Sequence, residues 1–329
     1  MALRIALAYD LKADYLAAGF SAEAVMEFDD EATVGGVAST LDALGHRCER
    51  VGRGVELARR LAAGERWDLV FNIAEGVHGR SREAQVPALC EMFDQPYTFS
   101  DPLTAAITLD KAFAKRLVRD IGLPTAPFAV VACAAEAEAV DLPLPLFVKP
   151  IAEGSSKGIS DRSKVTCREE LRAVCAELIE AFAQPVLVET YLPGRELTVG
   201  IVGSGAAARV IGAMEVAFIR GSDREFYTAL NKGEFEERVE YRLLEGGPFA
   251  ERAHQVALAA YAAFSCRDAG RVDLRCDALG EPCFLEINPL PGLHPVRSDL
   301  PILCGLSRID YRTLLGWIVD GAARRWGLG

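Results

Sequence analysis

A chain of 329 residues, half of them hydrophobic, is long enough for two or three domains with sizeable cores. Its formal charge of −11 argues against a nucleic-acid surface, and no uninterrupted apolar run approaches a bilayer crossing, so a cytoplasmic protein without nucleic-acid or membrane partners is expected. The nine cysteines are odd in number and include no C-x-x-C pair, which points to buried thiols rather than a disulfide framework or zinc knuckle.

Residues 3–9 read as a strand, 33–44 as a helix closed by Gly45, and 67–73 (WDLVFNI) as a buried strand, an alternation expected of a parallel α/β layer. The loop that follows carries Glu75, Gly76, His78 and, further on, Glu83, at a strand C-terminus where open α/β sheets bind ligands. His78 fits a structural histidine as well as a pocket residue. Residues 85–93 read as a helix and 96–98 as a short strand. Ser100-Asp101-Pro102 can start a helix running through Asp110 and Lys111 to Asp120, where Gly122 and Pro124 stop it.

Residues 128–131 and 146–150 are strand-like, and the second leads into Glu153-Gly154-Ser155-Ser156-Lys157-Gly158, small residues with many free backbone N–H groups. This is not a Walker A loop, because the lysine precedes the second glycine and no Ser or Thr follows it directly. A phosphate cover and a plain Gly/Ser turn both fit, and the preceding Val148-Lys149-Pro150 favours the cover. A helix over 169–183 comes next, then a strand ending near Glu189, a turn with Gly194, and a strand from Glu196. Gly203-Ser204-Gly205 matches a dinucleotide fingerprint only superficially, since it joins two strands as a hairpin turn. Residues 220–245 are charged and aperiodic, the pattern of a functional lid or of disorder. Helices over 249–267 and 310–325 flank residues 270–288, which alternate as a β-hairpin and place Arg271, Asp273, Glu286 and Asn288 on one face. Two carboxylates and an amide carbonyl are hard oxygen ligands suited to magnesium shared with phosphates, which points to ATP, although a solvated polar sheet face has the same pattern.

In this order the pieces resemble the ATP-grasp superfamily and, within it, the D-alanine–D-alanine ligases, from about residue 70 onward. The resemblance rests on Leu109-Asp110-Lys111, on Val148-Lys149-Pro150 with Glu153 to Ser156, on Val188-Glu189 with Gly194-Arg195-Glu196, and on Gly270 to Asp273 with Glu286-Ile287-Asn288 and Pro291-Gly292. It implies an α/β (α+β) ATP-grasp fold with an N-terminal Rossmann-like domain (1–104), a small central lid domain (105–187) and a C-terminal catalytic domain (188–329). ATP, magnesium (two ions, with manganese as the alternative) and small-molecule amino-acid substrates are implied with it, and a homodimer is compatible.

Carried over residue by residue, Lys111 and Lys149 would hold the α and β phosphates, while Ser155, flanked by Glu153 and Ser156, would close over the nucleotide and first substrate. Glu189 would meet the adenine amino group, the backbone near Tyr191 and Leu192 the ring edge, and Glu196 the ribose hydroxyls. Asp273, Glu286 and Asn288 would hold the metal ions, Lys232 would reach the γ phosphate, and Arg271 with the Gly292 amide would stabilise the oxyanion. The departures from the family pattern fall at the amino-acid pockets. Residues 18–30 replace a glycine-rich turn, with Glu27, or nearly as well Glu23, as the carboxylate for an amine, and with Glu75 and His78 as further candidates. Gly233 stands where tyrosine is expected. Ser298 falls on the serine that meets the second substrate's carboxylate, and Asp299 beside it, where leucine is expected, would repel that carboxylate. The implied chemistry is amide formation between two amino acids through an acyl phosphate. The competing readings are another ATP-grasp ligase making a different amino-acid-derived or peptide metabolite, and a nucleotide-binding regulatory protein without turnover.

Overall fold

The computed structural model describes residues 1–218 and 239–328. Lys232, Gly233 and most of the charged 220–245 segment lie outside the described residues.

Strands β1 (Arg4–Tyr9), β2 (Arg47–Gly52) and β3 (Leu69–Ile73) form a parallel sheet in the order β2-β1-β3. β3 is buried along its whole length, as befits a strand covered on both faces. Past a short α1 (Lys12–Ala17), helix α2 (Glu31–Ala43) is capped by Asp30 on the Thr33 N–H and packs Val34, Val37 and Leu41 onto one face. Helices α3 (Gly54–Ala62) and α4 (Gln85–Met92) bring Leu57, Leu61 and Val86 to the other. Residues 96–98 add a single parallel bridge, Val70 with Tyr97, rather than a strand.

The one helix expected over 100–120 is two. α5 (Pro102–Leu109) ends at Asp110, whose backbone is extended and whose carboxylate accepts from the Ala112 and Phe113 N–H groups, starting α6 (Lys111–Asp120). Apolar periodicity runs through the break; the cap creates it.

Strands β4 (Phe128–Val131), β5 (Leu146–Pro150), β6 (Lys164–Val165) and β7 (Val186–Thr190) form an antiparallel sheet ordered β4-β7-β5-β6, backed by α7 (Arg168–Phe182). A second antiparallel sheet runs β10-β9-β8-β11-β12, from β8 (Glu196–Val202), β9 (Arg209–Phe218), β10 (Val239–Leu243), β11 (Ala269–Cys276) and β12 (Pro282–Asn288). Val239–Leu243 is therefore an outer strand, not the tail of an irregular segment. Helix α8 (Pro248–Ala263) covers one face of this sheet. On the other, α9 (Asp299–Leu306) comes so close at Gly200 that an added Cβ would meet Leu303 at 2.9 Å. Helix α10 (Tyr311–Trp326) returns to the parallel sheet and packs Leu314, Leu315 and Ile318 into the core of Ile5, Leu7 and Val37. All nine cysteines are free and six are buried. Among the described residues no helix is long and apolar enough to cross a membrane.

Candidate active site

The β8–β11–β12 register builds one wall. Arg271 pairs with Asn288 and Asp273 with Glu286 across β11 and β12, while Thr198 and Glu196 on β8 lie opposite Asp273 and Arg275. The register shifts after Asp273, leaving Leu285 as an extra residue on β12 that lines the cleft beside Glu286. Arg271 is ion-paired with Asp273, whose other oxygen accepts from the Thr198 hydroxyl at 2.9 Å. Asn288 donates to Asp273 at 3.2 Å. Burial raises the Asp273 pKa against the pull of Arg271, and Glu286 and Asp299 add to the rise. Glu286 is half-buried, and Lys111, Lys149 and Arg271 outweigh the desolvation and lower its pKa.

Cations come from the opposite wall. Lys111, at the start of α6, reaches 3.3 Å from Glu286 and donates to the Glu153 carbonyl at 2.5 Å. Lys149 on β5 and Lys115, one turn along α6, each lie 2.8 Å from Glu189 on β7. Glu189 is buried, which would raise its pKa, yet the two ammonium groups hold it at about 2. Burial pushes Lys115 down against Glu189, whereas Lys149, with Glu189 and Glu286 both near, is pushed up. Arg275 ties this end of the cleft together: its guanidinium donates to the Leu192 carbonyl (2.7 Å), to Glu196 (3.0 Å) and to the Tyr191 hydroxyl (3.2 Å). The Tyr191 N–H is itself engaged by the Pro145 carbonyl at 3.1 Å.

The loop after β5 closes this cleft. Ser155, Ser156 and Gly158 all have positive φ, and an added Cβ at Gly158 would meet Pro150 at 2.5 Å. Glu153 is held by Lys157 (2.9 Å) and Gln184 (2.7 Å). The Gly154 N–H donates to Glu27 at 2.7 Å, and Arg82 spans Glu27 (2.8 Å) and the Ala152 carbonyl (2.9 Å), so two connecting segments of the N-terminal region grip the loop. Burial would raise the Glu27 pKa, but Arg82 brings it below the usual value.

Beyond Ser155 and Arg271 lies a second cavity lined by Glu27, Glu75, Glu83, Asn288, Ser298 and Asp299. Gly292 also lines it, where an added Cβ would meet the Ser298 hydroxyl at 2.8 Å. That hydroxyl accepts from the His294 N–H at 2.9 Å.

Most of the residues expected from the sequence therefore meet. Lys111, Lys149, Glu153, Ser155, Ser156, Glu189, Tyr191, Leu192, Glu196, Arg271, Asp273 and Glu286 line the first cavity, and Glu27, Glu75, Asn288, Gly292 and Ser298 the second, with Asp299 in both. His78 is the exception. It is exposed, lines neither cavity and has its ring 6.3 Å from that of Phe20, because the loop turns it outward. Glu23 is exposed as well, which leaves Glu27 as the glutamate of that segment facing the cavity. The sequence reading missed Lys115, Arg275, Thr198 and Arg82. The donor set for a cation is two carboxylates and an amide; among the described residues no three His, Cys, Asp or Glu side chains form a metal cluster. Such a set fits a hard divalent ion that takes its other ligands from phosphate and water.

Comparisons with known proteins identify the family. Residues 117–320 match the family model for the D-ala D-ala ligase C-terminus. The D-alanine–D-alanine ligase of Bordetella pertussis is 36% identical over 81% of this chain and 81% of its own, and that of Cupriavidus necator 33% over 87% and 85%. The uncharacterized protein y4sG of Sinorhizobium fredii is 33% identical over 78% of this chain and 75% of its own. Crystal structures of the Bacillus anthracis D-alanine–D-alanine ligase superpose with TM-scores of 0.73 (complexed with ATP) and 0.76, at 22% identity and 99% coverage of both chains.

Proposed function

The chain belongs to the D-alanine–D-alanine ligase family and is an ATP-dependent ligase that forms carbon–nitrogen bonds, and we propose that the two joined cavities are where it couples a carboxylate to an amine. One observation carries the assignment of the site: three lysines and two arginines converge with six carboxylates in a single cleft, from segments spread between residues 111 and 299.

In this reading Lys111 and Lys149 hold the ATP phosphates under the loop of Glu153, Ser155 and Ser156. Glu189, with the backbone near Tyr191 and Leu192, receives adenine, and Glu196 the ribose hydroxyls. Asp273, Glu286 and Asn288 would hold magnesium, one ion or two, which supplies charge neutralisation at the phosphates. Lys232 is assigned to the γ phosphate on the resemblance alone. A substrate carboxylate oxygen attacks the γ phosphorus and ADP leaves, giving an acyl phosphate. An amine nitrogen then attacks the acyl carbon, a carbon–nitrogen bond forms, and phosphate departs as the amine loses a proton. Arg271 and the Gly292 amide meet the oxyanion, while Glu27, Glu75, Ser298 and Asp299 face the substrates. Water must be excluded to protect the acyl phosphate, and the Glu27–Arg82 grip on the loop serves that need. The proposed domains are 1–104, 105–187 and 188–329, in a cytoplasmic enzyme that can pair as a homodimer.

The departures at residues 233 and 299 favour substrates other than two D-alanines. A phosphate-release assay over D- and L-amino acids and simple amines tests the reading. Substrate-dependent ADP formation supports it, and ATP binding without any such turnover would mark a regulatory protein instead.

A further inference from the structure

Asp299 opens α9, is only 9% exposed, and stands in the wall shared by the two cavities. Its Oδ2 lies 3.4 Å from Arg271, and its Oδ1 accepts from the Tyr241 hydroxyl at 3.1 Å. A helix start beside a guanidinium is a natural receptor for a substrate's free carboxylate. Here the protein places its own carboxylate there. The neighbouring Ser298 hydroxyl is already an acceptor for the His294 N–H. Across the same cavity Glu27 is matched by Arg82 and Asp30 by Arg297. Glu75 and Glu83 line it too, and neither has a hydrogen-bond or ion-pair partner among the described residues. Of the cations that line it among the described residues, Arg271 is shared by Asp273 and Asp299 and Arg297 is taken by Asp30, which leaves Lys12, in the field of Asp29, as the one without a direct side-chain partner, against two carboxylates open to a cationic group.

Resting on the ligase reading above, we propose that Asp299 selects an acceptor with no carboxylate beside its reacting amine and with a second cationic group facing Glu75 and Glu83: a diamine rather than an α-amino acid. The bond made is unchanged. One nitrogen of the diamine attacks the acyl carbon, the carbon–oxygen bond to phosphate breaks, phosphate leaves with that electron pair, and the attacking nitrogen gives up a proton. The other nitrogen stays protonated. An α-amino acid in the same place would set its carboxylate against Asp299 in a confined site where water screens poorly.

The test is calorimetric titration of the full chain, loaded with magnesium and a non-hydrolysable ATP analogue, with 1,4-diaminobutane and with D- and L-ornithine, which differ from it only by the carboxylate. The diamine is expected to bind tighter by about tenfold or more. In Asp299→Leu this preference should shrink by about as much. Asp299→Asn, which keeps a partner for Tyr241, should fall between, and thermal unfolding checks that both variants are folded. The preference is a ratio taken within each protein, so a general weakening of binding cancels. Equal or tighter binding of ornithine, no binding of the diamine, or a preference unmoved in both variants overturns the proposal. Substrate-dependent ADP release in the wild type with any other acceptor leaves the ligase reading standing while this one falls; failure of the ATP analogue to bind removes both.

Discussion

Lys115 is fully buried, and its ammonium shares Glu189 with Lys149. Replacing it with methionine keeps the volume but leaves Glu189 with one partner in a dry site. Breaking a buried pair costs about 3–5 kcal/mol, and the remaining lysine should hold the loss near the lower end. Lys115→Met is therefore expected to lower the melting temperature and weaken ATP binding together, as calorimetry and nucleotide titration would measure; a variant as stable as the wild type would mean that the pair is dispensable. Lys149→Ala removes a proposed phosphate contact while Lys115 still holds Glu189. A charge-assisted contact is worth about 1.5–3 kcal/mol, so KM for ATP should rise about tenfold or more. Glu286→Gln removes the charge that meets Lys111 and a proposed metal ligand, and should abolish ligation with the fold retained by circular dichroism. Near-normal turnover would sink the metal assignment. Two of the missed residues carried signals that the sequence reading passed over. Lys115 lies four positions after Lys111, one helical turn along the same face, and Arg275 continues the every-second-residue pattern of Arg271 and Asp273. Arg82 carried none, since nothing local sets its partner 55 residues away.

At the scale of elements, the β11–β12 hairpin was legible because strict alternation fixes which residues share a face, and the loop after Lys149 because its glycines and serines have few other uses. The α5–α6 break was not, because the apolar repeat hides a cap whose only sign is Asp110 itself. The outer strand at Val239–Leu243 was hidden by its charges, which suit a sheet edge as well as a loop. The grip on the 151–158 loop makes a further prediction. Glu27→Gln loses the ion pair with Arg82 and one acceptor strength at the Gly154 N–H, leaving a buried guanidinium without its counter-charge. The loop should then be cut faster by protease and KM for ATP should rise, both by several-fold, on the order of the 1.4 kcal/mol that separates a tenfold change. Unaltered proteolysis would show that the loop holds itself.

Three sheets meet around the second cavity, and the whole molecule bears the cost of the carboxylates gathered there. Burial, offset only in part by Arg82 and Lys111, pushes Glu83 up to about 7, and Glu75 beside it is raised well above its usual value. Asp29, half-buried in the same wall, is raised to about 7 by desolvation. Between the ordinary 4.5 and about 7, the folded protein keeps a proton on Glu83 that the unfolded chain has released. The folded state then binds more protons, so this group makes stability fall as pH rises through that window. Glu189 and Glu286 act oppositely, contributing stability above the ordinary carboxylate range that is lost only as pH drops toward 2. Glutamine at position 83 matches the neutral acid in shape and never pays the charging cost. Glu83→Gln should therefore be nearly as stable as wild type at pH 4.5 and more stable at pH 8, with the gap opening between those values in melting curves taken without substrate. A gap that is flat with pH would mean that Glu83 is already solvated or paired, and would remove it from the cavity's charge balance.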